Sequence, residues 1–125
     1  MNLLLADDEE KVLSALRLLL EQEPGIGTVD EVAEATSLLA KAKETCPDVV
    51  LLDWELLGLH DKHLLSELRA QDPQLRVIAL SGRPEARQQA MGSGADAFVN
   101  KSDPPDVLLA ELHTILAGKN KERRD

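Results

Sequence analysis

The stretch Pro47-Asp48-Val49-Val50-Leu51-Leu52-Asp53 decides the reading of this chain. Val49 to Leu52 are consecutive aliphatic residues between a proline unit-breaker and an abrupt carboxylate. A strand with one wet face alternates apolar and polar residues, so an unbroken apolar run reads as a strand covered on both faces. The pattern recurs in Leu3-Leu4-Leu5-Ala6 before Asp7-Asp8, and in Val77-Ile78-Ala79-Leu80 before Ser81-Gly82. Ala95 to Asn100 gives another strand before Lys101, and Val29 to Ala33 a weaker one. Between these runs the apolar period switches to that of a helix. Val12, Leu13, Leu16, Leu19 and Leu20 recur in this way over Glu9 to Glu23, Leu38, Leu39 and Ala42 over Thr36 to Thr45, and Leu64, Leu65 and Leu68 over Lys62 to Gln71. A fourth helix is expected with Pro84 in its first turn and a stop near Gly92 or Gly94. The last is expected to be capped by Asp103, to start at Pro104 and to end at Gly118. Five strands alternating with five helices imply right-handed crossovers and an α/β fold, a doubly wound parallel sheet between helix layers.

The 125 residues fit one domain, with residues 1–118 as its body and 119–125 as a charged tail or the start of a linker. Fourteen Lys and Arg against 23 Asp and Glu leave a net charge of −9, which repels phosphate backbones and argues against direct nucleic-acid binding. Trp54 and Phe98 are the only aromatic residues, too few for a base-stacking platform. The lone Cys46 has no disulfide partner and reads as a small residue near a helix end. No run approaches the roughly 18 apolar residues of a membrane span, and a cytoplasmic setting is expected.

Ligands of an open doubly wound sheet bind beyond the carboxyl ends of its strands. That edge receives Asp7 and Asp8 from the first strand, Asp53 from the third, Ser81 from the fourth and Lys101 from the fifth. Each has an ordinary reading taken singly: a helix cap, a turn residue, a loop start, a surface charge. Together they point to a cation site, because crowded carboxylates repel unless a cation joins them. Magnesium suits all-oxygen donors and phosphate ligands. Zinc does not fit, since Cys46, His60, His63 and His113 lack ligand spacing. A flavin or nucleotide binder of this fold needs a glycine- or hydroxyl-rich loop after the first strand, where this chain has Asp7-Asp8-Glu9-Glu10.

The segments Leu-Ala-Asp-Asp-Glu, Pro-Asp-Val-Val-Leu-Leu-Asp, Ala-Leu-Ser-Gly, Gly-Ala-Asp-Ala-Phe and Asn-Lys-Ser resemble the receiver domain of two-component response regulators, from Leu3 to about Gly118. The resemblance implies a CheY-like, flavodoxin-like sheet of strand order 2-1-3-4-5. It implies Asp53 as phosphoacceptor and a Mg2+ site of Asp7, Asp8, Asp53 and the Glu55 backbone carbonyl. Ser81 and Lys101 would hold the phosphoryl group, and Phe98 would be the aromatic switch. The implied donor is a histidine kinase or phosphotransfer protein. The implied output surface is the fourth helix, fifth strand and fifth helix, with a homodimer as one form it can take. The chain would catalyse only its own phosphorylation and dephosphorylation, and Asn-Lys-Ser-Asp-Pro-Pro resembles receivers joined to LuxR-like DNA-binding domains. A phosphorylation-independent docking module is the alternative. An aspartate-dependent phosphohydrolase fits less well, because Glu55 replaces its acid-base aspartate.

The chain also departs from the family pattern. Ser102 follows Lys101 where the family usually has a proline after a cis peptide, so either a trans bond with a rearranged loop or a cis bond held by the site is expected. Leu57 replaces another usual proline, while Gly58 remains. Glu55 and Arg83 occupy the family's positions beside the path of the hydrolytic water; their charges could pair across it and slow self-dephosphorylation. Trp54, next to Asp53, is expected to report on the site by its fluorescence.

Overall fold

A computed structural model describes residues 1–57 and 63–123. The strands are β1 (Leu3–Ala6), β2 (Val29–Val32), β3 (Val49–Asp53), β4 (Arg76–Ser81) and β5 (Ala97–Asn100). The helices are α1 (Glu10–Glu21), α2 (Ala35–Thr45), α3 (Leu64–Gln71), α4 (Ala86–Gly92) and α5 (Pro105–Arg123). All strand pairs are parallel, in the order β2-β1-β3-β4-β5. The sheet and its order match the sequence expectation. The expected start of the third helix at Lys62 lies outside the described residues, as do His60 and Gly58.

Side chains alternate across the pleat and divide the core in two. Leu4, Ala6, Val50, Leu52, Val77, Ala79 and Phe98 face one layer, where Leu38 and Ala42 of α2, Leu64, Leu65 and Leu68 of α3, and Ala86 and Ala90 of α4 meet them. Leu3, Leu5, Val49, Leu51, Ile78, Leu80, Ala97 and Val99 face the other, covered by Leu13 and Leu20 of α1 and Leu108 and Leu112 of α5. This double burial is why β3 carries no polar residue before Asp53, and why the first polar side chains appear together at the strand ends.

Several boundaries differ from expectation for local reasons. Pro84 sits in a turn ahead of α4, with Arg87 N–H donating to its carbonyl, and the helix proper begins at Ala86. Gly94 takes φ +107° and ends α4. There the Ala95 and Gly94 amides return to the Ala90 and Met91 carbonyls, the paired bonds of a Schellman ending. Cys46, with φ 48°, ends α2 as the expected small residue. The last helix begins at Pro105 rather than Pro104, because Asp103 is used in the preceding turn, where its carboxylate accepts the Asn100 amide. Gly118 does not end it; the helix continues to Arg123. A glycine stops a helix by adopting a left-handed conformation, and Gly118 has no such φ, so it remains an interior residue of lower propensity. The four-residue 3-10 turn Trp54–Leu57 has no counterpart in the expected elements.

Candidate functional site

Four strand ends, those of β1, β3, β4 and β5, share one local device. At each, a polar side chain accepts a hydrogen bond from the amide two residues on: Asp7 Oδ1 from Glu9 (2.9 Å), Asp53 Oδ1 from Glu55 (3.1 Å), Ser81 Oγ from Arg83 (3.0 Å) and Asn100 Oδ1 from Ser102 (2.8 Å). Short polar residues favour such turns because they satisfy an amide that has just left the ladder. The consequence for Asp7 and Asp53 is that one carboxylate oxygen is fixed locally while the other is left for the site.

Those second oxygens converge on Lys101. Its Nζ lies 3.1 Å from Asp7 Oδ2 and 3.3 Å from Asp53 Oδ2. Asp7 is 1% exposed and Asp53 3%. Burial, and then the neighbouring Asp7 carboxylate, raise the pKa of Asp53 above the ordinary carboxylate value, with Lys101 opposing both. Burial works against the Lys101 charge, but the hydrogen bond to Asp7 and the attraction of both carboxylates outweigh it and hold the ammonium above its ordinary pKa. The Lys101 amide donates to the Ser81 carbonyl at 2.9 Å, which brings β5 and β4 to the same edge. The Lys101–Ser102 peptide is trans, and no cis bond occurs among the described residues. The turn after β5 is instead secured by Asn100 and Asp103, whose side chains accept the Ser102 and Asn100 amides.

Asp8 is exposed, yet one oxygen from each of Asp7, Asp8 and Asp53 can be chosen so that all three lie within 4.8 Å of one another. Three carboxylates face one ammonium. The two uncompensated charges and the all-oxygen donor set fit a hard divalent cation.

On the other side of Asp53, Ser81 is wholly buried and its hydroxyl donates to Glu55 Oε1. Glu55 Oε2 accepts from Arg83 Nη2 at 3.2 Å, so the expected Glu55–Arg83 pair is formed. Burial disfavours the Glu55 carboxylate, but the Ser81 hydroxyl and the Arg83 guanidinium together lower its pKa below the ordinary value. Phe98 points into the core, 4% exposed, and the Arg87 guanidinium of α4 covers its ring at 4.9 Å from the centroid. Trp54 is also buried, packed in the core layer that holds Ala86 and Ala90, with its ring N–H 3.5 Å from Gln89 Oε1 of α4. It follows Asp53 in the chain but reaches α4 with its ring. The Glu55–Ser81 bond and the contacts from Arg87 and Gln89 were not anticipated. They depend on side-chain rotamers across distant segments, for which no local spacing is a signal.

The structure therefore gathers Asp7, Asp8, Asp53 and Lys101 into one cluster, with Glu55, Ser81 and Arg83 joined beside it. The sequence profile of the response regulator receiver domain matches residues 3–113. The nitrate/nitrite response regulator protein homolog of Haemophilus influenzae is 28% identical over 121 residues, covering 95% of this chain and 58% of that protein. The chain thus spans little more than half the length of such relatives. A LuxR-family two-component response regulator from Aurantimonas sp. SI85-9A1 superposes with a TM-score of 0.83 at 30% identity, over 94% of this chain and 85% of that one. RcsB from Salmonella enterica serovar Typhimurium, bound to promoter rprA in the presence of the phosphomimetic BeF3-, gives a TM-score of 0.81 at 25% identity, over 94% of this chain and 62% of that one. With its profile match, sheet order and acidic strand-end cluster all in agreement, the chain belongs to the response regulator receiver domain family of two-component systems.

Proposed function

We propose that this receiver accepts a phosphoryl group on Asp53. The observation that carries the reading is the placement of a buried carboxylate between one ammonium and two further carboxylates. The Asp53 oxygen attacks phosphorus of a phosphohistidine in line, the P–N bond breaks, the freed imidazole takes a proton, and an acyl phosphate forms. Asp7, Asp8, Asp53 and the Glu55 backbone carbonyl would hold Mg2+, which when bound neutralises phosphoryl oxygens during transfer. Lys101 pairs with the new phosphoryl group, and Ser81 donates its hydroxyl to it.

The donor is a histidine kinase or phosphotransfer protein in the cytoplasm. The output is a changed surface on α4, β5 and α5: when Ser81 moves towards the phosphoryl group, Phe98 gains space, and α4, which touches Phe98 through Arg87, is repacked. A homodimer through that surface is one form of the readout. The DNA-bound relative supports an attached DNA-binding domain as the downstream partner, while the acidic receiver itself does not grip DNA.

Incubation with phosphoramidate and Mg2+ is expected to give a phosphoprotein that neutral hydroxylamine cleaves, as it cleaves an acyl phosphate. A hydroxylamine-stable product would place the group on a hydroxyl and refute the reading. The Glu55–Arg83 pair lies beside the acceptor, and on this reading it screens Asp53 from the hydrolytic water. Arg83→Ala is accordingly expected to shorten the half-life of the phosphorylated form several-fold, followed by loss of label; an unchanged half-life contradicts this gate.

A further inference from the structure

A serine hydroxyl has one hydrogen to donate. In this chain that hydrogen is already committed to Glu55, while the Ser81 oxygen accepts the Arg83 amide. Glu55 is well placed to keep it. Its backbone amide is tied to Asp53 Oδ1, and its second carboxylate oxygen is held by Arg83 Nη2. The carboxylate thus engages both Ser81 and Arg83 beside the acceptor, using the donor that a phosphoryl oxygen would require.

We infer that Glu55 is an internal competitor for Ser81: its carboxylate occupies the hydroxyl in the unmodified protein and must release it before the phosphoryl group can be bound. This deepens the phosphoacceptor reading and rests on it. The competition favours the resting state by two linked effects. Ser81 cannot serve two acceptors with one hydrogen, and the bond it must give up is made to a charged carboxylate, which costs more to break than a bond to a neutral group. Phosphorylation brings further negative charge towards Glu55, which weakens its hold on the site while Arg83 still retains it. The released Ser81 then moves and the Glu55–Arg83 pair stays across the water approach. Glu55 acts through Ser81 and is a positioning residue.

Beryllofluoride with Mg2+ tests the idea without hydrolysis, its affinity being read by fluorine NMR on the intact chain. Glu55→Ala is expected to tighten binding on the order of tenfold, equivalent to about 1.4 kcal/mol. Removing a negative charge near an anion would also tighten binding, so the Ser81 dependence decides. In a Ser81→Ala background the same Glu55→Ala change is expected to gain about twofold at most; an equal gain in both backgrounds overturns the competition and leaves only charge repulsion. Glu55→Gln removes the charge but keeps an acceptor for the hydroxyl, and is expected to gain clearly less than Glu55→Ala. A gain as large as that of alanine overturns the proposal without any substitution at Ser81. Asp53-dependent binding to the unsubstituted chain separates these results from failure of the phosphoacceptor reading, in which beryllofluoride binds neither the unsubstituted chain nor Glu55→Ala and both readings fall.

Discussion

Lys101→Ala is expected to destabilise the metal-free protein by on the order of 2–3 kcal/mol at pH 7, because it leaves two buried carboxylates facing each other without their shared cation. In a domain of this size that corresponds to a fall of roughly 8–15 °C in melting temperature. The direction with pH follows from the raised Lys101 pKa. A cation whose folded pKa lies above its unfolded value stabilises fully below the unfolded value, about 10.4, and loses that contribution as pH rises through the folded one. The unsubstituted protein therefore keeps this contribution throughout neutral pH. The substituted protein lacks it, and the repulsion between its two buried carboxylates is relieved only when Asp53, whose pKa is already raised, binds a proton or the cluster binds a metal ion. Its deficit should be smaller at pH 5 than at pH 8, and millimolar Mg2+ should restore part of it. Melting curves of the two proteins with and without Mg2+ check this; a difference of less than about 2 °C at pH 8 would mean that the ammonium is not the main counter-charge of the cluster.

Asp53→Asn is expected to do the opposite in the absence of metal. Burial and Asp7 already disfavour the Asp53 charge, while asparagine keeps an oxygen for the Glu55 amide and leaves Lys101 to Asp7. A gain of about 1–2 kcal/mol, or several degrees in melting temperature, is the expected size. The sign with pH is set by a folded pKa that lies above the unfolded one. Such a carboxylate lowers stability as pH rises from its unfolded value, about 3.9, through its folded value, and the cost persists above it. Asp53→Asn should remove that decline, so its advantage should be small near pH 4 and full at pH 7. If the cluster binds Mg2+ as proposed, the comparison should reverse: an ion that binds only the assembled cluster stabilises the unsubstituted protein by RT ln(1 + [Mg2+]/Kd) and Asp53→Asn much less. An asparagine variant less stable than the unsubstituted protein without metal would show that the Lys101–Asp53 attraction outweighs the burial and repulsion.

Most of the architecture was legible because it rests on one-dimensional pattern. The unbroken apolar runs at Leu3–Ala6 and Val49–Leu52 mark strands buried on both faces, and the first polar residue after each lies at the carboxyl edge of the sheet. Convergence of Asp7, Asp8, Asp53 and Lys101 followed from that edge rule. The Glu55–Arg83 pair was also foreseeable, once the family resemblance placed these two opposite charges beside one water path. Features set by backbone competition or by rotamers were not legible. Gly118 resembles a stop signal, but nothing there draws the chain into a left-handed turn, and helical hydrogen bonding continues. Asp103 resembles a cap and is instead spent on the Asn100 amide. Trp54–Leu57 is too short to display a period. The hold of Glu55 on Ser81, 26 positions away, requires the two strand ends to be in place before it can be seen.

The central claim is that Asp53 takes the phosphoryl group, and intact-mass spectrometry after incubation with a small phosphodonor and Mg2+ tests it most directly. The account predicts a gain of one phosphoryl unit in the unsubstituted protein, lost on removal of Mg2+ and absent in Asp53→Asn. No gain, or the same gain in Asp53→Asn, would contradict it.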